Sequence, residues 1–181
     1  MIRSPHLSIP IIAILVVAVV NPGRGRAERS PKRALVGAFV YAGSSEPGRI
    51  MIDRAIELAT EEMGFLRESI ASDRLEENTV ISRRIVIARE KKMVAVEFQG
   101  ATYRSRIDGG WVTATSPGGE SISVRHQIRG DKLVQEIRTK KGRRVNLFSA
   151  RGKDRLDLEV IISSPHLPQD VRYHLRYRRV E

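Results

Sequence analysis

The feature that most constrains this chain is an alternation of apolar and polar residues that continues from about position 80 almost to the last residue. The final segment shows it most regularly, with Val171, Tyr173, Leu175 and Tyr177 on one side and Arg172, His174, Arg176 and Arg178 on the other. Successive side chains of a β-strand point to opposite faces, so a period of two indicates a strand with one buried and one solvated face. This part of the chain is therefore predicted to form β-structure with one common apolar side.

Short turn signals, mostly glycine beside a charged residue, divide this region into nine runs. We predict strands at 80–89, 92–98, 101–107, 110–115, 119–129, 132–140, 143–150, 155–163 and 171–180. Connections this short force neighbouring strands to run antiparallel. A short apolar run at 34–42 is predicted to be a further strand, which makes a meander of about ten.

An open sheet of ten strands would leave two exposed edges, and closure into a barrel removes them. We therefore predict a mainly β fold, an antiparallel up-and-down barrel. The side chains expected inside are Phe39, Ile85, Ile87, Val94, Val96, Trp111, Ile122, Val124, Leu133, Ile137, Val145, Leu147, Leu158, Val160, Tyr173, Leu175 and Tyr177. A barrel of this strand number encloses more volume than its side chains fill, so we expect an internal cavity for a small apolar ligand.

Helical periodicity interrupts the strands once, after the first strand. Ile52, Ile56, Ala59 and Met63 recur every three or four residues, and Gly64 is placed to end that helix. A second, shorter helix is expected to follow. We predict a helical hairpin over about residues 48–77.

The first 27 residues have the character of a targeting segment. Arg3 precedes an apolar run from Ile9 to Val20, and small residues lead up to Ala27. This pattern predicts a secretory signal peptide cleaved after Ala27, then a basic arm at 28–33 and a single domain at 34–181. An uncleaved anchor is the alternative, but the apolar run would span only about 18 Å as a helix against a hydrocarbon core of about 30 Å. We expect export to a periplasmic or secreted location.

Three short motifs carry a family resemblance. Gly37-Ala38-Phe39 stands on the first strand, 130–136 reads Gly-Asp-Lys-Leu-Val-Gln-Glu, and the chain closes with Tyr177-Arg178-Arg179-Val180. With the order of strand, helical hairpin and nine strands, residues 34–180 resemble the calycin superfamily, most closely its fatty-acid-binding-protein branch. Phe39 replaces the tryptophan of the Gly-x-Trp motif of those proteins and of lipocalins, and their Arg-x-Tyr pair for a fatty-acid carboxylate is absent. The resemblance implies a lipocalin-like barrel whose helices cover its mouth.

Polar residues at inward positions are the candidates for contact with a ligand. His126, Arg83 and Gln135 fall among apolar inward positions, where a buried polar group needs a partner. A ligand carboxylate, Glu97 or an ordered water would each serve as the partner of Arg83 and Gln135. His126 is a candidate for binding the polar end of a ligand, and a core histidine satisfied within the protein is the alternative. With Trp111, Tyr173 and Tyr177, these three residues form the predicted ligand-binding set.

The sequence offers little for catalysis. It contains no cysteine, its histidines lack metal-ligand spacing, and Gly-x-Ser-x-Gly is missing. We therefore expect no enzyme activity, no cofactor and no metal site. The aromatic residues alternate inward instead of sharing a face with arginine, so a specific nucleic-acid partner is not expected either.

The chain is basic, with a formal net charge of +11. Removal of residues 1–27 would lower it to +8, because they contain three arginines and no acidic residue. Our first hypothesis is an exported, non-enzymatic binding protein for a small hydrophobic, lipid-like molecule held inside the barrel. The alternative is a cell-envelope interaction module in which Arg172, Arg176, Arg178 and Arg179 contact an anionic lipid surface or a partner protein. Arginines on outward strand positions are more often simply a solvated face, and the oligomeric state is left open.

Overall fold

The computed structural model describes residues 34–180, apart from the side chain of Leu66. The signal peptide and the basic arm predicted at 1–33 lie outside these residues. The elements in chain order are β1 Gly37–Tyr41, α1 Ser45–Thr60, α2 Phe65–Asn78, β2 Arg84–Glu90, β3 Met93–Phe98, β4 Ala101–Arg106, β5 Val112–Thr115, β6 Ser121–Arg129, β7 Lys132–Arg138, β8 Arg143–Arg151, β9 Arg155–Ser163 and β10 Val171–Val180. The predicted order of strand, helical hairpin and nine strands is confirmed.

The strands form one antiparallel sheet in the order β4-β3-β2-β1-β10-β9-β8-β7-β6-β5. β1 pairs with both β2 and β10, so the first and last strands lie side by side in the middle of the sheet. The sheet curls until its far sides meet, where Asp108 and Gln127 form an isolated bridge. The result is the predicted up-and-down barrel, nearly closed, with its seam at β4 and β5.

The helical hairpin covers the end of the barrel at which β1 ends and β2 begins. Ile52, Ile56 and Ala59 lie on one stripe of α1, and all three are buried in the main apolar core. Their burial against β10 holds α1 in place. No helix among residues 34–180 is both long enough and apolar enough to cross a membrane.

Arg179 closes the opposite end of the barrel. It continues the inward side of β10, and its guanidinium donates hydrogen bonds to the backbone carbonyls of Ala34, Val36 and Lys153. The same group lies over the ring of Phe39, 4.6 Å from its centroid. The prediction of Arg179 on the outer face is therefore wrong, because position 179 has the same parity as Tyr177, which points inward.

The orientation of β8 also differs from the expectation. Phe148 is fully buried in the core, whereas Val145 and Leu147, predicted inside, are half-buried on the outer face. The inward positions of β8 are therefore the even-numbered ones, and they place Arg144 and Asn146 inside the barrel. Because side chains alternate, one wrong choice of face reverses the whole strand.

Gly37 provides a test of this closed end. Its φ of +146° is one that side chains rarely adopt, and a Cβ there would overlap the guanidinium of Arg179. We expect Gly37→Ala to lower the free energy of unfolding by about 1–3 kcal/mol, measured by urea denaturation. Gly118→Ala is the matched control, because a Cβ at that position would have no neighbour closer than 3.9 Å. Equal stability of the two variants would contradict the packing described for Arg179.

Candidate functional site

A line of buried polar side chains crosses the barrel wall from β4 to β8. Ser105, His126, Gln135 and Asn146 have 0 % of their surface exposed. Ser105 Oγ lies 2.8 Å from His126 Nδ1, Gln135 Nε2 lies 3.0 Å from His126 Nε2, and Asn146 Nδ2 donates to Gln135 Oε1 over 2.8 Å. The line joins β4 to β6 directly, so it links the two sides of the seam.

The hydrogen bonds of this line fit one protonation state. Gln135 uses its carbonyl for Asn146, so its amide nitrogen must donate to His126 Nε2. His126 then carries its proton on Nδ1 and donates to Ser105 Oγ, while the Ser105 hydroxyl donates to the Arg106 carbonyl over 3.2 Å. Neutral His126 satisfies every partner, whereas a second ring proton would face the amide nitrogen of Gln135. Burial lowers the pKa of His126 from 6.5 to about 4.

Arg144 stands at the end of the line, beneath the helices. Its Nε donates to Asn146 Oδ1 over 2.9 Å, its Nη1 to the Asn78 carbonyl at the end of α2 over 3.0 Å, and its Nη2 to the Tyr173 hydroxyl over 3.4 Å. The guanidinium also lies 4.7 Å from the centroid of the Phe98 ring. All these partners are neutral. Arg144 therefore places a positive charge at the covered mouth without a carboxylate from residues 34–180 in hydrogen-bond contact with it.

Two tyrosine hydroxyls lie near this charge. Burial raises the pKa of both Tyr173 and Tyr177, so both remain protonated hydrogen-bond donors. The hydroxyl of Tyr177 is buried and has no hydrogen-bond partner among the described residues. A buried hydroxyl without a partner costs about 1–3 kcal/mol, which makes it a group that a ligand could satisfy.

The expected internal cavity is not found among the core side chains. Phe39, Ile85, Val96, Phe148, Leu158 and Val160 all have 0 % of their surface accessible. A cavity large enough for water would leave accessible surface on the side chains lining it. In the described part of the barrel, this core is filled by its own side chains.

An open cleft of about 720 Å³ lies outside the barrel, between α2 and the loop that joins β9 to β10. Met63, Ile70 and Leu167 contribute apolar surface, and Arg67 and Arg74 contribute positive charge. The cleft does not reach the polar line or the tyrosines. It is therefore separate from the site around Arg144.

Trp111, predicted inside, lies on the outer wall. Two guanidinium groups lie over its ring, that of Arg125 at 4.4 Å and that of Arg138 at 4.3 Å from the ring centroid. Both arginines also bind the carboxylate of Glu136, which is almost fully buried although it faces outward. Burial alone would raise the pKa of Glu136, but the hydrogen bonds from Arg125 and Arg138 outweigh it and hold the pKa below its usual range.

The structure brings together part of the predicted ligand-binding set. His126 and Gln135 are in direct contact, and Tyr173 and Tyr177 lie on the inward side of β10. Arg83 is exposed in the bend before β2 and does not enter the barrel. Sequence reasoning missed Ser105, Arg144 and Asn146. Polar residues at alternate positions of a strand normally indicate its outer face. The one contrary signal in β8 was Phe148, which the predicted orientation would have placed on the outer face although it is a large apolar residue.

No cluster of residues suited to hold a metal ion occurs within the part of the chain that the structure describes. No family model matches the sequence, and no curated protein matches it. The structure, however, has clear neighbours among solved proteins.

A fatty-acid-binding protein from Echinococcus granulosus matches with a TM-score of 0.51 and 13 % identity, covering 82 % of this chain and 99 % of that one. A Schistosoma mansoni fatty-acid-binding protein in complex with arachidonic acid matches with a TM-score of 0.51 and 14 % identity, covering 82 % and 97 %. The fold is that of these fatty-acid-binding proteins. An abundant heat-soluble (SAHS) protein of Ramazzottius varieornatus shares this fatty-acid-binding-protein fold, with a TM-score of 0.50 and 12 % identity over 81 % of this chain and 96 % of that one.

Identities this low are evidence for the fold alone. In this fatty-acid-binding-protein fold, the seam between β4 and β6 is bridged by Ser105 and His126, and the mouth carries the charge of Arg144. What the site does must therefore be argued from these contacts.

The buried line predicts a specific dependence of stability on pH. The folded state holds the pKa of His126 at about 4. As the pH falls below 6.5, His126 is therefore protonated in the unfolded chain while it stays neutral in the folded chain. The contribution of His126 is fully present above pH 6.5 and is lost as the pH falls towards 4, by about 3 kcal/mol in total. Urea unfolding of the protein and of His126→Gln, at steps between pH 7 and pH 4, should give curves that converge on acidification. Parallel curves would contradict the buried, neutral histidine.

Proposed function

We propose that this protein is a non-enzymatic carrier of a small hydrophobic molecule with an acidic head group, bound inside the barrel beneath the helical hairpin. The observation that supports it most directly is the pairing of an uncompensated guanidinium with a buried, unpartnered hydroxyl. Arg144 contacts only neutral groups of the described chain, and the Tyr177 hydroxyl contacts no hydrogen-bond partner there.

A carboxylate fits these two groups better than a neutral head group does. It would accept charge-assisted hydrogen bonds from Arg144 and from the tyrosine hydroxyls, which stay protonated because burial raises their pKa. The apolar remainder of the ligand would lie among the core side chains of β1, β2, β9 and β10. The solved neighbours named above as fatty-acid-binding proteins agree with such a ligand class.

The packed interior places a condition on this function. A ligand can enter only if side chains move, and the hairpin is the element best suited to move. α1 packs on β10 through apolar side chains, and α2 is tied to the barrel by the hydrogen bond from Arg144 to the Asn78 carbonyl. A carboxylate that takes over the guanidinium would compete with this tie, so binding of the head group and opening of the hairpin are coupled.

Binding of a fluorescent fatty acid tests the proposal. The delipidated protein should bind the acid with saturable one-to-one stoichiometry that survives high salt, because partly buried charge pairs are screened much less than exposed ones. Arg144→Met should weaken binding of the acid at least tenfold and binding of its methyl ester much less, since only the acid needs the charge. Tyr177→Phe should also weaken binding of the acid, while leaving the ligand-free protein at least as stable, because it removes an unpartnered hydroxyl.

Arg143→Met is the matched control. This neighbouring arginine faces outward on β8 and contacts Glu136 from the outer wall at 3.9 Å. Equal loss of affinity in both arginine variants, or equal effects on the acid and on its ester, would contradict a head-group site at Arg144.

We propose further that the protein is exported and acts outside the cytoplasm. The support is the sequence of residues 1–27, with its positive start, apolar run and small residues before Ala27. Protein recovered from the periplasm or from the medium should begin at Glu28, as determined by N-terminal sequencing. Recovery of the full-length chain from the cytoplasm alone would rule out cleavage and export.

A further inference from the structure

Three arginines form a row across the outer wall, on the side of the barrel where the first and last strands meet. Arg84 on β2 is opposite Val40 on β1, Val40 is opposite Arg178 on β10, and Arg178 is opposite Arg155 on β9. Neighbouring strands lie about 4.8 Å apart, so the row crosses four strands within about 15 Å. We call Arg84, Arg155 and Arg178 the arginine row.

The arginine row lacks internal compensation. All three side chains are exposed, and none forms an ion pair within 4.0 Å with a carboxylate of residues 34–180. Two acidic residues of the neighbouring strand β9 are engaged elsewhere, because Asp157 pairs with Arg151 and Glu159 with Lys132. Glu97 on β3 lies opposite Val86, beside the row, but it is not within 4.0 Å of any of the three arginines. Like charges directly opposite one another on paired strands are destabilising. The pair of Arg155 and Arg178 therefore lowers the stability of the fold, and no carboxylate within the described chain offsets this repulsion.

A second pair of opposed arginines in the same sheet has its charge balanced by a carboxylate. Arg138 on β7 is directly opposite Arg143 on β8, and the carboxylate of Glu136 lies 3.0 Å from the first and 3.9 Å from the second. One internal anion thus serves two opposed cations. No such anion serves Arg155 and Arg178 among the described residues, and an external anion would complete the same arrangement.

We propose that the arginine row is a docking surface for an anionic lipid bilayer. The row lies on an open wall and forms no cavity, so a single small anion would remain hydrated and weakly held, whereas a bilayer engages all three arginines at once. The half-buried aliphatic side chains of Val40 and Val86 lie within or beside the row. No phenylalanine, tyrosine or tryptophan faces outward from β1, β2, β9 or β10, so the described wall lacks a stacking platform for nucleic-acid bases.

This proposal goes beyond the carrier function, because it uses the outer wall and none of the interior groups. Arg176 faces the same side, two residues before Arg178 on β10, and adds to the positive potential. Arg172, by contrast, is paired with Asp170 at 2.8 Å, and Arg179 is inside the barrel. The proposed docking surface therefore extends over β1 and β2 as well, and is not confined to the arginines of β10.

Co-sedimentation of the full chain with vesicles tests the docking surface. Vesicles of phosphatidylcholine are compared with vesicles that also contain phosphatidylglycerol, and the ratio of the two partition coefficients is measured. Arg155→Gln/Arg178→Gln should lower this ratio about 30-fold, on the basis of about five- to sixfold for each arginine near an anionic surface. Residues 1–33 are identical in all variants, so their contribution to partition cancels in the comparison.

The control double variant is Arg104→Gln/Arg172→Gln. It removes the same net charge from two exposed arginines that have carboxylate partners, Glu90 and Asp170. The control should lower the ratio by no more than about threefold, and circular dichroism with thermal unfolding verifies that both variants fold. Equal losses in the two double variants would overturn the proposal in favour of a general effect of net charge.

Two further measurements are needed. The first distinguishes a lipid bilayer from free phosphate as the anion that the row binds, and the second distinguishes the docking surface from the carrier function. Sodium phosphate and sodium chloride at equal ionic strength should release the protein from vesicles equally; stronger release by phosphate would mean that the row binds free phosphate, and would overturn docking to a bilayer. Fatty-acid affinity in solution should be unchanged by Arg155→Gln/Arg178→Gln. The docking surface and the carrier function can thus fail independently.

Discussion

The hydrogen-bonded line from Ser105 to Arg144 is the interaction on which the form of this barrel depends. Backbone pairing joins each strand to its neighbours along its length except at the seam, where β4 and β5 are the edges of the sheet and the described residues pair only at the bridge of Asp108 and Gln127. Across that seam, the buried hydrogen bond between Ser105 and His126 supplies a side-chain link. A buried polar group that loses its partner costs about 1–3 kcal/mol. Opening of the seam would therefore leave Ser105 and His126 without this hydrogen bond.

The same line connects the barrel wall to the hairpin. Its last member, Arg144, contacts Asn146 on one side and the carbonyl of Asn78, at the end of α2, on the other. The apolar core is filled, so a ligand has to make its own space. A structure in which one guanidinium contacts both the polar line and the end of α2 gives an acidic ligand a physical means to loosen the hairpin. Affinity and access then depend on the same residue.

Arginine side chains have three different roles in this chain. Arg179 is used for packing, since it caps carbonyl groups and covers Phe39 at the closed end. Arg125 and Arg138 contact the ring of Trp111 and pair with the carboxylate of Glu136 on one outer wall. The arginine row has neither a carboxylate nor an aromatic partner among the described residues. A count of positive charges cannot distinguish these uses, because they depend on what each guanidinium touches.

The sequence by itself determined the secondary structure and its order. Period-two alternation with short turns allows little but an antiparallel meander, and three- to four-residue spacing with Gly64 at its end indicates the hairpin. It also located His126, Gln135, Tyr173 and Tyr177 on inward faces, since their neighbours on the same faces are apolar. Tertiary structure alone decided the orientation of β8, where Arg144 and Asn146 face inward because Gln135 and Tyr173 offer them partners. It likewise decided that Trp111 lies outside, in contact with two guanidinium groups, and that core side chains such as Phe39 and Phe148 have no accessible surface. Which polar groups may be buried depends on partners that are distant in sequence, and no local pattern records those partners.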